Sequence, residues 1–450
     1  MRIMIVGAGQ VGYFLCERFS NEGQDVVLID TNKERLQKIE RDLNIMTVHG
    51  SGASARILAE AGIAKTQLFI AATDSDEVNL VSCIMSRSYD VETRIARVRN
   101  EDFLEQGLLQ HEDSLGIDLM ISPDQAMCEE IVGLCHVSAA FDMAEFAGGQ
   151  LMLLGYQISD GNALVGHSLM DLQQRDGSHN FVMTAVIRGS QTIIPRGQDR
   201  IEAGDRVYLM LRRSDIPAVE RIFHLTSRVP RRVFIIGGGT TGYLVARSLE
   251  DLKVDVVLVE KNRERCTYLA ENLSRTRVLN CDGLEAHDLL DEGIDRADLV
   301  ISLTESDTTN LLSSILAKHH GAGKCITKIT RHDFVPLLSN LGIDVALSAR
   351  QVAASMILRY IRRGAIGAVA TIMGSDAEAM EIGVPHLRKF DNIPLKELKF
   401  PMGAVIGAIV RNRQVLIPSG ETLIKSGDNL VVFYVKNAAT AVEKLLRPEG

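Results

Sequence analysis

The chain has 450 residues, a formal net charge of −9, and 46% hydrophobic against 24% charged residues. That length outgrows one hydrophobic core and calls for several domains. The acidic balance argues against a general nucleic-acid binder, and no apolar run approaches the roughly 18 residues of a membrane span, Ala365 to Gly374 being the longest candidate.

The N-terminal run Arg2-Ile3-Met4-Ile5-Val6 could open a signal peptide, but the same pattern recurs as Arg232-Val233-Phe234-Ile235-Ile236, where no signal can act. Both therefore read as buried strands, and the chain is expected in the cytoplasm. Further strands are expected at 25–29, 45–48, 67–71, 93–98 and 118–121, separated by stretches of helical spacing. Alternating strands and helices predict a parallel sheet covered on both faces, a Rossmann-like α/β domain over 1–123. A helix near 124–138 leaves it.

Directly after the first strand stands Gly7-Ala8-Gly9-Gln10-Val11-Gly12. A lone GxGxxG is weak; here a strand precedes it, a helix follows, and Asp30 ends the next strand, 18 residues past Gly12. In this fingerprint Gly7 permits the tight turn, Gly9 lets a pyrophosphate approach, and Gly12 lets the helix pack closely on the strand. The phosphates would sit on the free N–H groups of the helix start. Asp30 would accept the ribose hydroxyls and repel a 2′-phosphate, which favours NAD over NADP. Thr73 and Asp74 follow the strand 67–71 at the crevice end of the sheet; they suit ligand contact and also capping of the next helix. Arg97, ending the strand 93–98, is placed to carry a phosphate charge.

From 140 to 228 the pattern changes to short alternating strands, among them 181–187 and 207–211, which predicts a small α+β domain. Its histidines, His167, His179 and His224, form no acid–base cluster. The linker between halves is expected at Ser227-Arg228-Val229-Pro230-Arg231; with Arg232 its arginines read as a docking patch or a solvated linker.

The chain then repeats itself. Gly237-Gly238-Gly239-Thr240-Thr241-Gly242 stands 230 residues after the first glycine loop, Glu260 replaces Asp30, Thr304 matches Thr73, and Lys328 matches Arg97. A second Rossmann-like domain is expected over 231–349 and a second small α+β domain over 368–450, with strands at 404–410 and 429–435 and a turn at Asn412-Arg413. Gly238 is expected to loosen the second loop. That pocket is compatible with a different nucleotide, weak binding, or none. His319-His320 are expected at a helix end before Gly321. Seven cysteines at irregular spacing, with no CxxC pair, read as buried thiols, and Cys128, Cys135 and His136 lack zinc spacing.

The paired loops, Asp30 and Glu260, Thr73-Asp74 and Ile95-Ala96-Arg97-Val98 resemble the TrkA family, the peripheral regulatory subunits of bacterial Trk potassium uptake systems. The resemblance covers essentially the whole length. It implies two tandem RCK (KTN) modules, each an N-terminal Rossmann and a small C-terminal domain. It also implies no catalysis, NAD(H) and ATP or ADP as ligands, and a homotetrameric ring on the cytoplasmic face of a membrane potassium-translocating subunit of the TrkH/TrkG kind, without insertion into the membrane. Carried over, residues 7–11, Asp30, Thr73, Asp74 and Arg97 would hold NAD, and the Gly237 loop with Glu260, Thr304 and Lys328 would form the second pocket. The contrasting reading is an NAD-dependent oxidoreductase with a degenerate second half. A redox-responsive transcription factor is disfavoured by the acidic charge.

Overall fold

The computed structural model describes every residue except 101–102, 104–114, 177–179, 190, 226, 332–337, 339–340, 362–365, 372–376, 384–392, 399 and 447–450. His179 lies outside the described residues, as does part of Ala365 to Gly374.

The first half opens with a six-stranded sheet of β1 (Arg2–Val6), β2 (Asp25–Asp30), β3 (Met46–His49), β4 (Leu68–Ala71), β5 (Thr93–Arg97) and β6 (Leu119–Ile121). Every pairing is parallel, and the order is β3-β2-β1-β4-β5-β6. Ile3 to Val6 and Leu68 to Ala71 are buried throughout, which explains their unbroken apolar runs. Chain order reverses between β1 and β4, so a crevice opens beyond their carboxyl ends. The second half repeats the sheet with β12 (Arg232–Ile236), β13 (Asp255–Val259), β14 (Arg277–Leu279), β15 (Leu299–Ser302), β16 (Lys324–Lys328) and β17 (Val345–Leu347), ordered β14-β13-β12-β15-β16-β17.

Each Rossmann sheet is followed by a five-stranded antiparallel one. The first joins β7 (Asp142–Phe146), β8 (Leu151–Gln157), β9 (Phe181–Arg188), β10 (Gln191–Ile193) and β11 (Arg206–Arg212) in the order β10-β9-β11-β8-β7. The second joins β18 (Ile366–Thr371), β19 (Ala377–Gly383), β20 (Ala404–Arg411), β21 (Gln414–Leu416) and β22 (Asn429–Val435) in the order β18-β19-β22-β20-β21, the same topology. Asn412 and Arg413 both have positive φ, as a two-residue hairpin turn between β20 and β21 requires.

The helices leaving the Rossmann sheets change halves. The first crossing helix, Pro123–His136, starts on a Ser122 side-chain cap and buries Met127, Cys128, Ile131, Leu134 and Cys135 in one core with Val233, Ile235, Val245, Ala246 and Leu249 of the second Rossmann sheet and its glycine-loop helix. The second crossing helix, Ala349–Ile361, returns to the first half, where Ala353, Ala354, Ile357 and Leu358 share a core with Ile3, Ile5, Leu15 and Phe19. The small sheets also meet: Ala185, Tyr208 and Met210 of one share a core with Ala379, Ala408 and Phe433 of the other. The two halves are thus woven into each other. All seven cysteines are free thiols, six of them buried.

Candidate functional site

Both glycine loops sit at the switch points of their sheets. Gly7 has φ +108°, and a Cβ there would lie 2.9 Å from backbone atoms of Ala72 and Thr73. A Cβ on Gly12 would lie 1.9 Å from the Gly7 carbonyl oxygen, so only glycine lets the helix start approach the turn. Nothing stands within 4 Å of a Cβ at Gly9, whose backbone faces open space. The second loop reproduces this at Gly237 (φ +111°), Gly242 and Gly239.

The helices that follow, Gln10–Asn21 and Thr240–Asp251, begin at Gly9 and Gly239 and have no side-chain cap. Asn32, Ser75, Ser122, Asn262 and Ser306 all cap their helices with a side chain. Two 12-residue helices therefore present uncapped N–H groups and the positive ends of their dipoles to the crevices. That is the chemistry of an anion site.

Asp30 stands beside the first loop. Its two oxygens accept the N–H groups of Ala8 (2.5 Å) and Asn32 (2.6 Å), one each. Glu260 does the same with Gly238 (2.9 Å) and Asn262 (2.7 Å), so the longer side chain reaches equivalent donors. Each carboxylate keeps lone pairs for further donors such as sugar hydroxyls. The backbone that follows is latched in both halves: His49 Nε2 meets the Thr31 carbonyl at 3.0 Å, and Asn280 Nδ2 donates to the carbonyls of Glu260 and Lys261 at 3.0 Å each.

On the other side of the crevice the sequence reading missed the organising residue. Asn79 is fully buried; its Oδ1 accepts the Thr73 N–H (2.9 Å) and Oγ1–H (2.7 Å), while its Nδ2 donates to the carbonyls of Thr73 (3.1 Å) and Arg97 (2.9 Å). Asn310 makes the same four bonds to Thr304 and Lys328. The signal was present: Thr73-Asp74-Ser75-Asp76-Glu77-Val78-Asn79 and Thr304-Glu305-Ser306-Asp307-Thr308-Thr309-Asn310 keep the asparagine at one spacing. Thr73 and Asp74 do not cap the next helix; Ser75 does, accepting the Val78 N–H at 3.2 Å.

Arg97 is brought to this loop. Its Nη1 donates to the Thr73 carbonyl and to Asp74, both at 3.2 Å, and Arg99 lies 3.6 Å from the same carboxylate. Burial and then the Arg99 charge hold the Arg97 guanidinium below its ordinary pKa, and its buried Nε has no partner. A cation so placed is poised to gain from an arriving anion. Asp74 serves it as an exposed counter-charge.

Two expectations for the second pocket are corrected. Gly238 is not there for flexibility: its φ is not positive, and a Cβ would lie 2.4 Å from Leu269 Cδ1 and 3.1 Å from Glu260 Cβ. Thr241 does not offer its hydroxyl to the crevice, because its Oγ1 donates to Asp124 on the first crossing helix. Thr240 is exposed at the helix start, as Gln10 is in the first half. Arg265, the counterpart of Arg35, donates to the Gly238 carbonyl at 2.7 Å and lies over the Tyr268 ring. The histidine pair falls as expected: His319 ends its helix, His320 follows, and Gly321 has φ +106°. Among the described residues no cluster of three or more His, Cys, Asp or Glu side chains could hold a metal ion.

Fold and crevices together define a class: a duplicated dinucleotide-fold protein with a small antiparallel domain after each copy. Family models for the TrkA-N domain match residues 3–123 and 233–349, and models for the TrkA-C domain match 153–224 and 379–447. The chain is 36% identical over 453 residues to the Trk system potassium uptake protein TrkA of Halomonas elongata, with 99% of each covered. It is 34% identical to that of Haemophilus influenzae (100% of this chain, 99% of the relative) and 32% identical to a TrkA homolog of Methanosarcina mazei (99% and 100%). The chain belongs to the TrkA family. Among solved structures, the GsuK RCK domain matches with a TM-score of 0.61 at 19% identity (99% of this chain, 94% of that one). A GsuK channel bound to NAD matches with 0.61 at 18% (99% and 78%). At these identities the likeness is one of fold, an RCK fold in tandem.

Proposed function

We propose that this chain is a nucleotide-sensing regulatory subunit of a potassium uptake system. NAD(H) occupies the first crevice: the loop Gly7 to Gly12 takes the pyrophosphate, Asp30 the ribose, and Thr73, Asp74 and Arg97 line the far side. The second crevice, built from Gly237, Gly238, Gly239, Thr240, Glu260, Thr304 and Lys328, takes a related nucleotide, ATP or ADP among the candidates. Four domains, 1–123, 140–228, 231–349 and 368–450, carry the function. The chain works without catalysis, as a homotetramer peripheral to the cytoplasmic face of the membrane, against a potassium-translocating subunit of the TrkH/TrkG kind.

The observation that carries this reading is the duplicated site: an uncapped glycine-loop helix beside a carboxylate bracketed by the same two N–H groups, twice in one chain. The relatives' names supply potassium uptake, and no helix among the described residues is long and apolar enough to cross a membrane. The woven halves suit a switch. Thr241, in the first turn of the second glycine-loop helix, bonds Asp124 of the first half, so a ligand that moves this helix also moves the other half. A sensor needs only different affinities for two such arrangements.

Two measurements test this. Potassium flux into vesicles holding the pore subunit should depend on this chain and on the nucleotide added. Asp30→Ala should weaken NADH binding tenfold or more, the scale of losing hydrogen bonds to a charged group, while the chain stays folded; unchanged affinity refutes the pocket. Steady oxidation of NADH with a defined product would instead make the chain an oxidoreductase.

A further inference from the structure

A cavity of about 410 Å³ lies under the linker between the halves, at the end of the first crossing helix and outside both crevices. Arg228, Arg231, Lys324 and Asp298 line it, together with Leu134 and Leu299.

The linker is pinned at both ends. Buried Glu220 accepts the Ser227 N–H (3.1 Å) and hydroxyl (2.6 Å), and the Arg228 N–H donates to Ser138 Oγ (3.0 Å). Further on, one oxygen of Asp298 accepts the N–H groups of Arg231 (2.7 Å) and Arg232 (3.1 Å). The backbone is thus held by carboxylates and a hydroxyl, while the exposed side chains of Arg228 and Arg231 have no ion-pair partner among the described residues. Opposite them, Lys324 Nζ donates to the carbonyls of Ser138 (3.0 Å) and Ala140 (2.6 Å), which leaves the third N–H of its ammonium. Burial pushes this amine down to about 8 against the pull of Asp344, so it lacks a sufficient counter-charge.

We propose that this hinge cavity binds a small phosphomonoester of mononucleotide size, its phosphate held by Arg228, Arg231 and Lys324 and its organic body against the exposed Val229. Three cations face one carboxylate, one oxygen of which already accepts two backbone N–H groups. Phosphate is the anion that arginine forks and a lysine point charge recognise together. The volume lies within the range of small-molecule sites. An occupant would brace the segment that joins the halves.

The test is calorimetric titration of AMP, and separately of inorganic pyrophosphate, into the full chain with its crevices already saturated by NADH and ADP. AMP should bind saturably at one further equivalent per chain, more weakly at high salt. Arg228→Gln/Arg231→Gln, both surface changes, should weaken it tenfold or more, and Lys324→Met likewise. Absence of saturable binding by either probe in the wild-type chain overturns the proposal, as does unchanged affinity in the folded double variant. Heat accompanied by loss of bound-NADH fluorescence places the probe in a crevice and overturns it too.

Discussion

Asn79→Ala tests whether one buried amide sets the far wall of the first crevice. The change removes four hydrogen bonds, but their loss is unequal. The Thr73 hydroxyl still reaches the Ser75 carbonyl at 3.1 Å, and the Thr73 carbonyl keeps Arg97 Nη1 at 3.2 Å. The Thr73 N–H and the Arg97 carbonyl lose the amide's bonds. Each buried group left unpaired costs about 1–3 kcal/mol, and water entering from the crevice softens the sum to about 3 kcal/mol. Opening of this wall should then become roughly 100-fold more frequent, at tenfold per 1.4 kcal/mol. Hydrogen exchange read by mass spectrometry reports such local opening. Amides of β4, the loop after it and β5 should exchange about 100-fold faster, and NADH should bind more weakly. Asn310→Ala should do the same to β15 and β16 and leave the first half alone. Exchange within threefold of the wild type, or an equal rise in both halves, would refute the reasoning.

The two inner glycines of the first loop should separate folding from binding. Gly9→Ala meets no atom within 4 Å and should shift stability by less than about 0.5 kcal/mol, yet lose NADH affinity, because its methyl enters the phosphate space. Gly12→Ala collides with the Gly7 carbonyl and should cost about 4 kcal/mol or more, seen as loss of the first Rossmann domain in urea unfolding. Thr241→Val removes a hydroxyl donor to the Asp124 carboxylate and should cost about 1.5–3 kcal/mol in urea unfolding. Lys324, which meets Asp344 and Cys135 and shares its cavity with Asp298, Arg228 and Arg231, has an amine near 8 in the folded chain against about 10.4 unfolded. Between those values the unfolded chain binds more protons, so stability should rise with pH from about 8 to about 10.4, by about 3 kcal/mol at most. The penalty is fully present below pH 8. Lys324→Met should flatten that rise in urea midpoints taken across the window; a profile parallel to the wild type would contradict it.

The architecture was legible where its signals are local. β1, β4 and their counterparts are continuous apolar runs because both faces of a parallel sheet are covered, and the glycine spacing follows from contacts within one turn. The Asp30 and Glu260 positions were readable for the same reason. Asn79 and Asn310 stayed hidden because a polar residue inside a helical pattern reads as surface until its partners, at the ends of two strands, are known. The role of Thr241 depends on Asp124, 117 residues away, and the exchange of crossing helices between halves depends on still longer separations. Periodicity along the chain carries no record of which distant face a helix will cover. Gly238 was misread because glycine serves both freedom and room, and only the nearness of Leu269 shows which applies.

The exchange of crossing helices imposes an order on synthesis. The apolar side of the first glycine-loop helix, complete by Asn21, is sealed by Ala353, Ala354, Ile357 and Leu358, which leave the ribosome about 340 residues later. At about 5–20 residues per second that is a delay of roughly 20–70 s. During it the nascent first domain carries an uncovered greasy flank, a natural docking place for chaperones and a hazard when many chains emerge side by side.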